Sequence, residues 1–179
     1  FSIKPFGGTE HATKTLFENY KWYHIACVYN SNAGTISLYV NGVLDNKEDC
    51  ESGHAFSLNT ATGPDGQNGS VGNWAQNRGF RFVGQADTEN GFKSPVEAAE
   101  VRFWSVIRSE VQIKENMYGI DPATPGLVGY WKCNEGNGTD IHDISGNGHN
   151  AIIGTLRYGP TTRPDALNWN LNQSVEVGK

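Results

Sequence analysis

The sequence predicts an all-β protein, an antiparallel β-sandwich with one short helix near residues 109–118. Three observations predict it. Short apolar runs, about four to eight residues long and rich in aromatic and β-branched side chains, recur along the chain, each closed by Gly, Asn, Asp or Pro. Gly numbers 22 among 179 residues while charged residues make up only 18%, a balance that favours turns over helices. Only one stretch carries a helix start signal followed by helical spacing.

Taken in order, Phe1 to Phe6 alternates Phe, Ile and Lys before Gly7-Gly8 and is expected as a strand, with Pro5 at its margin. Thr9 to Lys21 is polar and irregular. Trp22 to Tyr29, WYHIACVY, is apolar on both faces, the pattern of a buried strand. Thr35 to Val40 and Val43-Leu44 flank Asn41-Gly42, which predicts a hairpin, because a type I′ turn needs φ > 0 at both central residues. Asn46 to Gly69 reads as one long polar loop with an apolar island at Ala55 to Leu58; loops of this length in compact domains tend to be functional or mobile. Ser70 to Asn73 and Phe80 to Gln85 are expected as strands around the loop Trp74 to Gly79. Asp87 to Pro95 is a further loop, and Val96 to Trp104 returns to strand.

Ser109 and Gln112 form the pattern of a capping box, in which the two side chains satisfy the first free amides of a helix. Ile113 and Met117 follow one turn apart with Val111 nearby, and Gly119 is the expected stop. After the break at Asp121 to Pro125, Leu127 to Trp131 is a strand. Two glycine turns, Glu135 to Gly138 and Asp143 to Gly148, then separate it from Ile141 and from Ala151 to Ile153; glycine supplies φ > 0, and Asn and Asp close side-chain turns. Arg157 to Pro164 reads as loop, and Leu167, Trp169 and Leu171 alternate in a last strand.

The length suits a single domain over residues 1–179. A net charge of −5 without any Lys/Arg run argues against nucleic acid, because nothing neutralises a row of phosphates. No apolar run reaches the roughly 18 residues a membrane span needs. The first residue is Phe rather than Met, which leads to the expectation that the chain was cut from a longer precursor. Cys27, Cys50 and Cys133 allow at most one disulfide and show no CxxC spacing; Cys27 and Cys133 fall in apolar strands and are expected as small buried hydrophobes.

Four motifs stand in order: Trp22-Tyr-His-Ile-Ala26 leading into a strand; Ile36-Ser-Leu-Tyr-Val-Asn-Gly42; Glu100-Val-Arg-Phe-Trp104 followed by Arg108-Ser109; and Leu127 to Gly136 with Asp143-Ile-Ser-Gly-Asn-Gly148. As a set they resemble the laminin G-like (LamG) branch of the concanavalin A-like lectin/glucanase superfamily, in the form common in secreted and surface proteins of bacteria. The resemblance covers most of residues 20–153. It implies a jelly roll of two curved sheets, a carbohydrate- or protein-binding role outside the cell or at its surface, and often a calcium ion. The chain departs from the pattern twice. Strands that members carry ahead of Phe1, with a Phe-Asp-Gly element associated with calcium, are absent, so the first strands are expected to be lacking or borrowed. Where members carry Asp-Glu before the Val-Arg-aromatic-Trp strand, this chain has Ala99-Glu100.

The superfamily includes glycosidases, and retaining hydrolysis needs two carboxylates about 5 Å apart. On a strand that demands acids at even spacing on one face. Glu97 and Glu100, and Asp140 and Asp143, stand at odd spacing, while Glu48, Asp49 and Glu51 fall in the polar loop, so no catalytic pair is expected. The five histidines show no metal-ligand spacing, and His24 within an apolar strand reads as a packed or rim residue. Asp143 and Asn147, with Ser145 between them and Asp140 close by, have the oxygens for a structural calcium; the other reading is an Asx-type turn in which Asp143 accepts backbone amides.

For sugar binding, an exposed aromatic ring stacks on a pyranose while amides and Arg bond its hydroxyls. Trp22, Trp104 and Trp131 sit in strand motifs and read as core. Trp74 lies in a polar loop with Gln76, Asn77 and Arg78 and is the candidate ligand contact; its alternative is to fold back over the sandwich edge. Trp169 between Asn168 and Asn170 is a weaker candidate, and sequons stand at Asn68, Asn137 and Asn172. The expectation is a non-catalytic glycan-binding module, secreted or at the cell surface, with polysaccharide and other surface proteins as partners. A protein-interaction or adhesion module, a structural spacer, and an accessory domain of a glycoside hydrolase are the alternatives.

Overall fold

The computed structural model describes residues 1–3, 9–53, 97–138 and 140–152. Within them the chain is mostly strand in antiparallel sheets, with one short helix. It divides into two compact units. The expected strands at Ser70–Asn73, Phe80–Gln85 and Ala166–Asn172, and the loops at Trp74–Gly79 and Asp87–Pro95, lie outside the described residues.

In the first unit β1 (Ser2–Ile3) pairs with β2 (His11–Ala12), and a meander of β3 (Ile25–Asn30), β4 (Thr35–Val40) and β5 (Val43–Asp49) forms a three-stranded sheet. The hairpin is as expected. Asn41 and Gly42 both take positive φ, 50° and 75°, and reverse the chain between Val40 and Val43. β3 starts at Ile25 rather than Trp22 because its partner β4 ends at Val40, opposite Ile25. His24 is spent on the turn itself: its amide donates to Asn41 Oδ1 and its carbonyl accepts from the Asn41 amide, at 2.9 and 2.8 Å.

Ile36, Leu38 and Val40 alternate along β4 and form the apolar core of this unit with Ile113. Burial does not extend to Cys27, which sits exposed on β3, nor to Trp22 and Trp104, which are half-buried.

β5 is longer than expected. Asn46 to Asp49 pair with Thr35 to Leu38, so the polar loop starts only after Asp49. The register skips Asp45 between Leu38↔Asn46 and Tyr39↔Leu44, and this bulge turns Asp45 away from the ladder. Asp45 then accepts hydrogen bonds from the amides of Lys14 and Thr15 and from the Thr15 hydroxyl. Asn46 donates to the Ala12 carbonyl and to Glu48, whose other oxygen meets buried His11 at 2.6 Å. Three polar side chains of β5 thus fasten residues 11–15.

The helix α1 (Glu110–Glu115) begins as the sequence predicts: the Ser109 hydroxyl accepts the Gln112 amide and the Gln112 side chain accepts the Ser109 amide. It stops sooner than Gly119: Asn116 is its C-cap, donating both its backbone amide, at 3.2 Å, and its side-chain amide, at 2.6 Å, to the Gln112 carbonyl. Ile113 is its buried residue, while Val111 is exposed.

In the second unit β6 (Val101–Trp104, its last residue counted with the first unit) pairs with β7 (Leu127–Trp131), and β8 (Asp140–Ile141) pairs with β9 (Ala151–Ile152). β6 is shorter than the expected Val96–Trp104. Glu100 takes φ 58°, a conformation that breaks extended chain just before Val101. Leu127, Tyr130 and Trp131 are buried. Gly129 is required in β7, because the Trp131 ring lies where its side chain would be; a Cβ there would stand 2.3 Å from the ring.

Candidate functional site

Two turns of the second unit frame the candidate site. Beyond Trp131 the chain leaves the ladder, and Gly136 and Gly138, at φ 78° and 73°, fold it back into β8. The turn presents Glu135 and Asn137 opposite Asp140 and His142, and together with Gly138 they line an open hollow of about 320 Å³. Glu135 closes its floor: Oε1 accepts the His142 amide at 2.8 Å, while Oε2 is buried without a hydrogen-bond partner. The lining is polar and carries both donors and acceptors.

The next turn is a fastening. Asp143 Oδ1 accepts the amides of Tyr130 and Ser145, and Oδ2 accepts the amide of His149, all at 2.9 Å. Its own amide donates to Asn150 Oδ1, and the ring nitrogen of Trp131 donates to the His149 carbonyl. Burial works to raise the Asp143 carboxyl, but the Ser145 hydroxyl and the three amides outweigh it and hold the group below the usual carboxylate range. Asn147 donates its side-chain amide to the carbonyls of Leu127 and Val128 and to the Ser145 hydroxyl. Asp143 and Asn147 are therefore brought together through Ser145, in the geometry of the Asx-type turn. Among the described residues no three His, Cys, Asp or Glu side chains converge as a metal centre.

Three of the carboxylates considered for hydrolysis, Glu100, Glu48 and Asp143, have internal partners. Glu100 Oε2 accepts Arg102 Nη2 at 2.8 Å and the Tyr130 hydroxyl, and the Arg102 guanidinium lies over the Tyr130 ring at 5.0 Å. Burial first, then the bond to Glu100, raises the Tyr130 phenol and keeps it a donor. Glu48 is engaged by His11 and Asn46, as described above. The nearby Cys133 thiol is pushed up to about 11, by burial and then by the charges of Glu135 and Glu100, so it is no nucleophile at neutral pH. Its position in an apolar strand is not realised: Cys133 follows β7 with φ 57° and is half-buried.

Trp74, Gln76, Asn77 and Arg78, the sugar contact expected from sequence, lie outside the described residues, as does Trp169. The hollow was legible only in fragments. Asp140 stood out beside Asp143, but nothing in the spacing of Glu135 and His142 announces that one turn sets them together.

A laminin G family described as concanavalin A-like lectin/glucanases superfamily matches residues 4–114. Among solved structures the chain is similar to a candidate carbohydrate-binding protein from Bacteroides ovatus, with a TM-score of 0.55 and 26% identity. The alignment covers 82% of this chain and 38% of that one, so the chain spans well under half of the Bacteroides protein's length. No curated protein matches. The family match runs through β3 to β5 and into α1, and antiparallel strands with one short helix are consistent with a concanavalin A-like β-sandwich. The chain belongs to the concanavalin A-like lectin/glucanases superfamily, in its laminin G branch.

Proposed function

We propose that the chain is a non-catalytic, lectin-like module that binds glycan or polysaccharide as part of a secreted or cell-surface protein. What carries the reading is the likeness, across 82% of the chain, to a candidate carbohydrate-binding protein. The hollow at Glu135, Asn137, Asp140 and His142 gives it a chemistry, with several polar groups converging on a space that sugar hydroxyls fit. Trp74, with Gln76, Asn77 and Arg78, supplies the stacking contact. Calcium, in this reading, is structural and belongs to the Asp143–Asn147 turn. Non-catalytic action is supported by the carboxylates themselves: Glu100, Glu48 and Asp143 are each taken up by donors from the fold.

A glycan array tests the reading. The intact chain is expected to bind; Trp74→Ala abolishes the signal without lowering the melting temperature, and Glu135→Gln weakens it by removing an acceptor while keeping the side chain's shape. A blank array for the intact chain sinks the glycan reading and favours a protein-interaction, adhesion or spacer module.

A further inference from the structure

The segment Leu16 to Tyr23 places a large aromatic ring in full contact with water. Tyr20 is 105% exposed, and Leu16 beside it 91%. An isolated exposed tyrosine needs no explanation, but this one stands on a prepared mount. Asn19 and Tyr20 form a tight turn in which Tyr20 takes φ 63°, the position of a turn that ordinarily selects glycine. Among the described residues glycine holds most of the positive-φ positions, yet here the chain keeps a bulky ring.

The turn is braced on both sides. Lys21 Nζ donates to Glu18 Oε1 at 2.9 Å, the Glu18 amide donates to the Tyr23 hydroxyl at 3.1 Å, and Phe17 packs edge-on against Tyr23 with ring centroids 4.8 Å apart. At the other end Asp45 ties down Lys14 and Thr15.

We infer that Tyr20 is a sugar-stacking platform, a glycan contact that the sequence did not single out. The braced turn presents the phenol ring as a flat apolar face, while Glu18, Asn19 and Lys21 beside it offer acceptors and donors for hydroxyls. Glu18 and Lys21 neutralise each other, so the platform suits a neutral pyranose rather than a sulfated or uronic one. The assignment rests on the glycan reading above and names one of its contacts.

The test uses the intact chain on an array of neutral and acidic glycans, followed by titration with the best neutral oligosaccharide. Tyr20→Gly is expected to weaken binding by about tenfold or more. The same substitution should keep or raise the melting temperature, since glycine accepts this backbone without strain. Tyr20→Phe keeps the ring and is expected to bind as the parent does. If the parent binds and Tyr20→Gly binds equally well, the platform is overturned and the glycan reading survives; the same holds if Tyr20→Phe, still folded, loses binding. An array blank for the parent overturns both.

Discussion

Asp143 shows how one side chain holds a corner together. Its two oxygens join β7, the turn at Ser145 and the chain at His149, which are separated in sequence but meet at one carboxylate. Charge-assisted bonds from amides are stronger than neutral ones, and removing the acceptor strands three donors at once. Asp143→Ala is therefore expected to lower the unfolding free energy by about 2–3 kcal/mol, read as a lower urea midpoint at unchanged slope. If the turn holds calcium as proposed, EDTA is expected to lower the melting temperature; a melting temperature that EDTA leaves unchanged shows that the three amides alone satisfy the carboxylate. The left-handed residues are the other decisive positions. Glu100 bends the backbone so that its carboxylate returns to Arg102 and Tyr130, and Tyr20 holds a conformation that costs non-glycine residues about 1–2 kcal/mol.

At the scale of elements, the hairpin and the helix cap were legible because each is written in a few adjacent residues. Asn41-Gly42 and Ser109 with Gln112 specify their geometry locally, and both are formed as written. Boundaries that depend on distant partners were not legible. β3 begins where β4 can meet it, and β5 runs on through Asn46 to Asp49 although those side chains are polar, because β4 lines them up and residues 11–15 use them. The two polar corners were legible as turns; which side chains face the hollow depends on how the corner folds. Gly42 joins the two kinds of information. Its φ of 75° serves the turn, and the space of its missing side chain is taken by α1, since a Cβ there would lie 2.9 Å from Lys114 Cα. Gly42→Ala meets both constraints and is expected to cost more than the about 1 kcal/mol of a backbone effect alone, measured as a fall in melting temperature.

For the whole molecule, acid should act through a few carboxylates that the fold holds in their charged form. The His11 and Asn46 side chains depress Glu48, the Thr15 hydroxyl depresses Asp45, and Asp143 is depressed against its own burial. A carboxyl whose folded pKa is lowered adds stability above its unfolded value and loses it as pH falls through the folded one. The ordinary values are 4.5 for Glu48 and 3.8 for the two aspartates. These three groups should thus leave the urea midpoint unchanged between neutral pH and about pH 5 and lower it progressively below that. A midpoint that stays level well into the acid range would show that the three carboxylates do not sustain the fold.

The polar outer half of β5 also bears on how the chain behaves in company. Among the described residues β5 is the margin of its sheet, and an uncovered margin invites a strand from another molecule. This one is a poor template. The bulge at Asp45 interrupts the even row of backbone groups, and Lys47, Glu48 and Asp49 set charge along it. The side chains that fasten residues 11–15 within one molecule thereby discourage two molecules from extending a common sheet, and guard against edge-to-edge aggregation.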